Sequence, residues 1–256
     1  MKPREITSER NPTFRGFLSL TRTRGIKKRG LALLSGPKQV SELIRDFPDR
    51  CAGLIVPERS EAPPADLLPG IPYYRLPSHL FGQLDLHGTC MPMALVRAGP
   101  IPRWSGESLP AGCTLCVPFQ DPANVGAVIR TAAAFGVSQV VILKEAAHPF
   151  HPNSLRAAGT SLFRVPLRYG PSLYRLDSAT LPVITLSPAG MDAGSHRFPL
   201  SFCLVPGLEG PGIPEHLAQG TTLSVPMQGG VESLNAAMAT GIILYLWRNS
   251  IRRAEG

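Results

Sequence analysis

The sequence predicts an α/β protein in two parts, a small α/β domain over residues 1–98 and a larger domain over 113–256 built on a mostly parallel sheet. Three observations lead there. Strand-like and helix-like apolar patterns alternate along the chain, as they do where sheets and helices form layers. The stretch AGPIPRWSGESLPAG (98–112) breaks that alternation with Pro and Gly, which favour extended chain, and reads as a linker over 99–112. The composition, 43% hydrophobic and 17% charged over 256 residues, suits folded domains with sizeable cores rather than disorder.

In the first part, Lys38 to Phe47 carries a helical apolar period, AGLIV (52–56) reads as a strand, and CMPMALV (90–96) supplies another apolar run. A second proline-rich stretch, PERSEAPPADLLPGIP (57–72), separates them. After the linker, LCVPF (115–119) reads as a strand and NVGAVIRTAAAF (124–135) as a helix with Val125, Ile129, Ala132 and Ala133 on one face. Asn124 suits its N-cap, and Gly136 suits its end before the strand VSQVVIL (137–143). LPVITLS (181–187) and SFCLVPG (201–207) are further strands. A last helix from Glu232 to Arg248 aligns Leu234, Met238, Ile242 and Tyr245 in a stripe. Arg248, Arg252 and Arg253 fall where the helix dipole favours cations. In such a sheet, ligands bind beyond the C-terminal ends of the strands.

The net charge of +8 is unevenly spread. Residues 1–30 hold nine Lys or Arg and two Glu, and the remaining 226 residues are nearly balanced, with 17 basic and 16 acidic side chains. Clustered cations at Arg10, Arg15, Arg22, Arg24, Lys27, Lys28 and Arg29 suit a polyanion such as RNA, since each neutralised phosphate releases counterions. A solubilising basic tail or an anionic membrane surface are the other readings. The uncharged run Ser233–Trp247 is short for a membrane span of about 20 residues. MKPREITSER lacks the apolar centre of a signal peptide, so a cytoplasmic location is expected. Five cysteines, at 51, 90, 113, 116 and 203, form an odd set that argues against a disulfide framework. Cys113-x-x-Cys116 has no second pair to complete a zinc site and reads as two structural cysteines in a strand; His148 and His151 likewise lack a third ligand, so no metal is expected.

Three motifs carry chemistry. DPANVGAVIRTAAAFG sets Asn124, Gly126 and Arg130 at a strand-to-helix turn, where backbone N–H groups can meet an anion. It has neither a dinucleotide fingerprint nor a P-loop, which disfavours a nucleotide-dependent oxidoreductase. VPGLEGPGIP (205–214) packs Gly and Pro around Glu209, and SVPMQGGVESLNAAMA (224–239) joins a strand to the last helix through glycines.

In this order and spacing the motifs resemble the SpoU (TrmH) branch of the SPOUT methyltransferases over roughly residues 113–250, with HPFHPNSLRAAGTSLFRVP resembling the segment between them. The N-terminal ITSERNPTFRGFLSLTRTR and LALLSGPKQVSEL resemble, more weakly, an L30e-like RNA-binding domain. Leu208 stands where that family often has Asn or Ser, and Ser35 where an acid is common. The resemblance implies a SPOUT α/β-knot fold, with a deep trefoil knot in its C-terminal part, working as a homodimer. It implies methyl transfer from S-adenosylmethionine to a ribose 2′-hydroxyl, favouring 23S-type ribosomal RNA over tRNA. Leu186, Ser187, Gly207, Gly210, Val225, Met227 and Leu234 would hold the cofactor. Arg130, Asn124, Glu209, Ser233 and Asn235 would carry catalysis, with Arg130 clamping the target phosphate and Arg156 a further RNA contact. A sister enzyme that methylates a base, or a non-catalytic RNA-binding or ribosome-assembly protein keeping the fold, are the alternatives.

Overall fold

The computed structural model describes residues 3–60, 70–176, 181–208, 210–229 and 231–252 in full, and the backbone of 253–255. The chain opens with β1 (Arg4–Glu5), α1 (Pro12–Ser19), α2 (Thr23–Arg29), β2 (Leu31–Leu34), α3 (Pro37–Asp46), β3 (Cys51–Pro57), β4 (Tyr73–Leu76), α4 (Ser78–Leu84) and β5 (Met93–Arg97). It continues with β6 (Gly112–Val117), α5 (Pro122–Phe135), β7 (Gln139–Ile142), α6 (Pro152–Ala158), β8 (Leu167–Tyr169) and β9 (Val183–Asp192). It closes with β10 (Ser201–Val205), α7 (Glu215–Ala218), β11 (Thr221–Ser224) and α8 (Ala236–Glu255).

These elements form two compact units. The first comprises residues up to 100 together with 148–160, and the second comprises 101–147 and 161–256. Residues 148–160, inside the expected catalytic domain by sequence, therefore pack with the N-terminal part, where α6 lies against β2.

The first unit holds a mixed five-stranded sheet in the order β1-β4-β3-β5-β2. Its basic N-terminal segment is no tail. β1 pairs in parallel with β4, while Phe14, Phe17 and Leu20 are buried in one cluster with Leu33, Ile55 and Leu80. The seven cations expected on this segment project outward around that apolar spine, all exposed. Gly25 is obligatory between them, because a Cβ there would overlap the Ser19 carbonyl.

The second unit holds a six-stranded sheet, β11-β9-β10-β6-β7-β8, in which every pairing is parallel. Its central strands β10, β6 and β7 are runs of buried residues, as in a sheet covered on both faces. Helix α5 begins earlier than the pattern suggested. Asp121, not Asn124, is the N-cap, accepting from the Ala123 N–H at 2.8 Å, because Pro122 fits the first helical position, where no N–H is needed. Gly136 ends it in a left-handed turn. Helix α8 begins at Ala236 rather than Glu232 and buries Ala237, Thr240, Ile243, Leu244 and Trp247. It lies against α5, where a Cβ on Gly241 would meet a Thr131 methyl at an ordinary contact distance of 3.5 Å. No helix among the described residues is long and apolar enough to cross a membrane.

All five cysteines are free and all but Cys90 are buried. The Cys116 thiol, in contact with Cys203 and out of water, is pushed well above its ordinary value, and burial does the same to Cys113. Neutral, buried thiols are packing groups.

His148 opens the 148–160 segment half-buried, and its Nδ1 accepts from the Phe150 N–H at 3.2 Å. Burial first, then the charge of Lys27 and of His151, push its pKa down to about 4. Because the folded value lies below the unfolded one, stability is full above about pH 6.5 and is lost as pH falls from there toward 4. Urea titrations across that window should show a fall of about 1–3 kcal/mol, allowing for partial exposure. His148→Asn, which keeps an acceptor but cannot charge, should flatten the curve; an equally steep curve would acquit His148.

Candidate active site

Parallel pairing of β9, β10 and β11 puts their C-terminal ends at one edge of the sheet, and a cavity of about 480 Å³ opens there. Leu186 and Ser187 come from β9, Gly207 follows β10, and Val225 and Met227 follow β11. That volume is in the range of small-ligand pockets.

The β9 wall has an irregularity. Thr221 and Thr222 pair with Ile184 and Thr185, and the next two residues of β11 pair with Met191 and Asp192. Residues 186–190 are thus looped out of the ladder, and they supply Leu186, Ser187 and Pro188 to the cavity. The hydroxyls of Thr185 and Thr222, 2.9 Å apart, fix the register just before the excursion. Gly190 returns the chain against the backbone of β11, where a Cβ would lie 2.6 Å from the Leu223 carbonyl carbon and 2.7 Å from the Thr222 oxygen.

A glycine-rich loop forms the second wall. Leu208 and Gly212 exchange both backbone hydrogen bonds, at 2.9 and 3.0 Å, and a Cβ on Gly207 would lie 3.0 Å from the Gly212 carbonyl carbon. Gly210 and Gly212 have φ of +90° and +75°, open to glycine at little cost. Leu208 is 8% exposed and packs in a cluster with Val205 and Leu217, which accounts for an apolar residue there. Glu209 lies outside the described residues.

The third wall precedes α8. Ser233, Leu234 and Asn235 line the cavity. Asn235 is the helix cap, a role its Oδ1 fills by accepting from the N–H groups of Ala237 at 2.9 Å and Met238 at 3.1 Å. The Asn235 Nδ2 donates to the Asn124 Oδ1 at 3.4 Å, so one side chain ties the cavity to the first turn of α5. Arg130 lies six residues along that helix, about 9 Å of rise, on a face shared with Ala123, Ala127 and Ala134. It is exposed and enters no ion pair among the described residues.

The lining pairs aliphatic walls (Leu186, Leu223, Val225, Leu234) with a few polar edges (Ser187, Ser224, Asn235) and close backbone approach at glycine. S-adenosylmethionine, with an adenine ring to enclose and a ribose and amino-acid portion to hydrogen-bond, fits that character.

The family model for the SpoU rRNA Methylase family matches residues 114–245, more than half of the chain. The chain belongs to that family. The AdoMet-bound rRNA methyltransferase of Sinorhizobium meliloti superposes with a TM-score of 0.77 at 22% identity, over 97% of this chain and 98% of that one. The small-subunit rRNA methyltransferase G 2 of Syntrophobacter fumaroxidans is 49% identical over 249 residues; the match takes in 96% of this chain but only 49% of that protein, so the chain spans about half its length. The 23S rRNA (guanosine(2553)-2'-O)-methyltransferase RlmP of Bacillus subtilis is 29% identical, over 94% of this chain and 98% of its own.

Of the residues expected to serve a SpoU site, all seven cofactor positions line the one cavity with Ser233 and Asn235, and Asn124 is tied to it by hydrogen bond. Arg156 is exposed on α6 and belongs to the first unit, which also carries the basic N-terminal segment. Gly212, of the second motif, also lines the cavity, as do Pro188, Pro206 and Ser224, which were not singled out. Gly190 was missed too; the signal for it was the Pro-Ala-Gly sequence directly after a strand. Gly190→Ala should destabilise the protein by about 1–3 kcal/mol and weaken S-adenosylmethionine binding, read by thermal melts with and without cofactor. Ala189→Gly, next to it, should change neither by as much. Equal melting temperatures for wild type and Gly190→Ala would mean that the excursion tolerates a methyl group.

Proposed function

We propose that this chain transfers a methyl group from S-adenosylmethionine to a ribose 2′-hydroxyl of ribosomal RNA. The observation that carries this reading is the tie between Asn235 and Asn124, which couples the cofactor-sized cavity to the helix bearing Arg130. S-adenosylmethionine supplies a methyl group on a sulfonium, which is a good leaving group. The protein's work is then to align the hydroxyl and to help remove its proton.

A guanidinium has no free lone pair to accept a proton, so Arg130 acts as a clamp on the target phosphate and as a stabiliser of the developing alkoxide. The proton passes to that phosphate or to Glu209. Asn124 and Asn235 hold the start of α5 against the cavity, and Ser233 orients the ribose. Large-subunit RNA is the favoured substrate, because the likeness to the Bacillus subtilis 23S enzyme runs nearly the full length of both chains. The likeness to the small-subunit enzyme covers half of that protein, whose name describes the whole. A modifier of ribosomal RNA acts where ribosomes are built, in the cytoplasm. The first unit, read as an L30e-like domain, docks RNA through its exposed cations.

The enzyme works as a homodimer. Met238 and Tyr245 on α8 are 66% and 54% exposed, beside Ile242, and Tyr245 meets Phe135 of α5 edge to face at 6.1 Å between centroids. Apolar side chains gathered on one helix face suit an interface. Met238→Glu with Tyr245→Glu should shift the sedimentation velocity toward the monomer, and an unchanged profile would place the interface elsewhere.

The test of activity is transfer of labelled methyl to separated 16S, 23S and tRNA pools, followed by nucleoside analysis. A labelled 2′-O-methyl nucleoside from 23S RNA is expected, and a labelled base would favour the sister reaction. Arg130→Ala should lower the rate by about 10²–10³ while leaving cofactor affinity within a fewfold. Full turnover by this variant would remove Arg130 from the chemistry. Cofactor binding with no label in any pool would favour the non-catalytic alternative.

A further inference from the structure

A second cavity, of about 370 Å³, lies at the other edge of the parallel sheet, where β6, β7 and β8 begin. Its lining differs in kind from that of the cofactor cavity. Arg103, Trp104, Ser105 and Ser108 come from the stretch before β6, Gln139 from the start of β7, and Arg168 from β8. Neither arginine enters an ion pair among the described residues, and no residue of the lining is acidic.

The walls are held in place. The stretch read from sequence as part of a linker is an edge of the sheet, where Arg103 bridges Tyr169 in parallel, Trp104 N–H donates to the Tyr169 carbonyl at 2.8 Å, and Tyr169 N–H donates to the Pro102 carbonyl at 2.8 Å. Trp104 and Leu109 pack against the buried cluster of Cys116, Val141 and Leu173, fixing the loop toward both of its ends. Gln139 is positioned by donating to the Thr114 hydroxyl at 3.1 Å. Arg168 gives one of its five donors to the Leu167 carbonyl at 3.1 Å, which holds the fork and leaves donors over. The Trp104 indole Nε1 is shielded from solvent with no acceptor among the described residues, a cost that packing alone does not explain.

Two guanidinium groups without carboxylates, hydroxyls beside them and an anchored aromatic make a site for a phosphate that carries a nucleoside. Guanidinium forks match phosphate oxygens two at a time, and an aromatic ring or an arginine plane accepts any base by stacking. We propose that this cavity binds a backbone phosphate and its nucleotide in a single-stranded segment of the RNA substrate, holding the strand at the sheet edge away from the methyl-transfer site. The proposal rests on the reading of the chain as an RNA enzyme, and it adds a docking point on the catalytic unit itself.

The probe is a five-nucleotide single-stranded RNA titrated into the full chain, followed by tryptophan fluorescence. Trp247 is buried at 3% exposure, and a Trp104→Phe variant identifies the signal that arises at the cavity. The expected result is a saturable change in wild type that Arg103→Gln with Arg168→Gln weakens at least tenfold, with the log–log salt slope lowered by about 0.7 for the one single-strand phosphate held. Cofactor binding and melting temperature should stay as in wild type. Unchanged RNA affinity and slope in the double variant would overturn the proposal. So would saturation by inorganic phosphate at the same concentration as by the RNA, which would make this a free-anion site. Methyl transfer is measured separately: arginine-dependent binding without transfer sustains the docking site and sinks the enzymatic reading, and transfer with arginine-independent binding does the reverse.

Discussion

The parallel alignment of β11, β9 and β10 is the constraint on which the site depends. Parallel neighbours end at the same edge, so the residues following three separate strands must converge there whatever their distance in sequence. The buried strands hold that geometry, and the irregular segments at their ends can then be shaped for binding without loss of the core. The excursion at 186–190 shows the division of labour. Thr185 and Thr222 keep the register on one side, Gly190 restores it on the other, and the residues between are released to face the cavity.

Much of this was legible in the sequence. The glycine-rich segments at 205–214 and 224–239 announced backbone approaching something closely, and their residues do line one cavity. Helix starts were less legible, because several residues compete for each cap. Asn124 and Asp121 are both good caps by type, and Pro122 decides in favour of Asp121. Glu232 and Ser233 look like a helix start, yet Asn235 satisfies the first free N–H groups of α8, so the residues before it stay outside the helix, and Ser233 and Leu234 line the cavity. The loop from 186 to 190 was signalled only by Pro-Ala-Gly after a strand, because its extent is set by the register of β11, some 35 residues away.

The basic N-terminus shows a different failure. Its cations are spaced so densely that they hide a regular apolar set, Phe14, Phe17, Leu20 and Ile26, each at most 6% exposed. The charge and the core are complementary uses of the same short helices. One face is buried beneath a sheet while the other gathers positive potential, so the segment contributes to stability and to attraction of an anion at once.

The packing of 148–160 with the first unit has a consequence for how the protein comes into being. This segment lies beyond β6, α5 and β7 in the chain, so as the polypeptide emerges from the ribosome the first unit waits for about fifty residues of the second before β2 receives α6. The two units are interleaved in synthesis and are not built one after the other. Until α6 has been made, the first sheet lacks one of the elements that pack on β2.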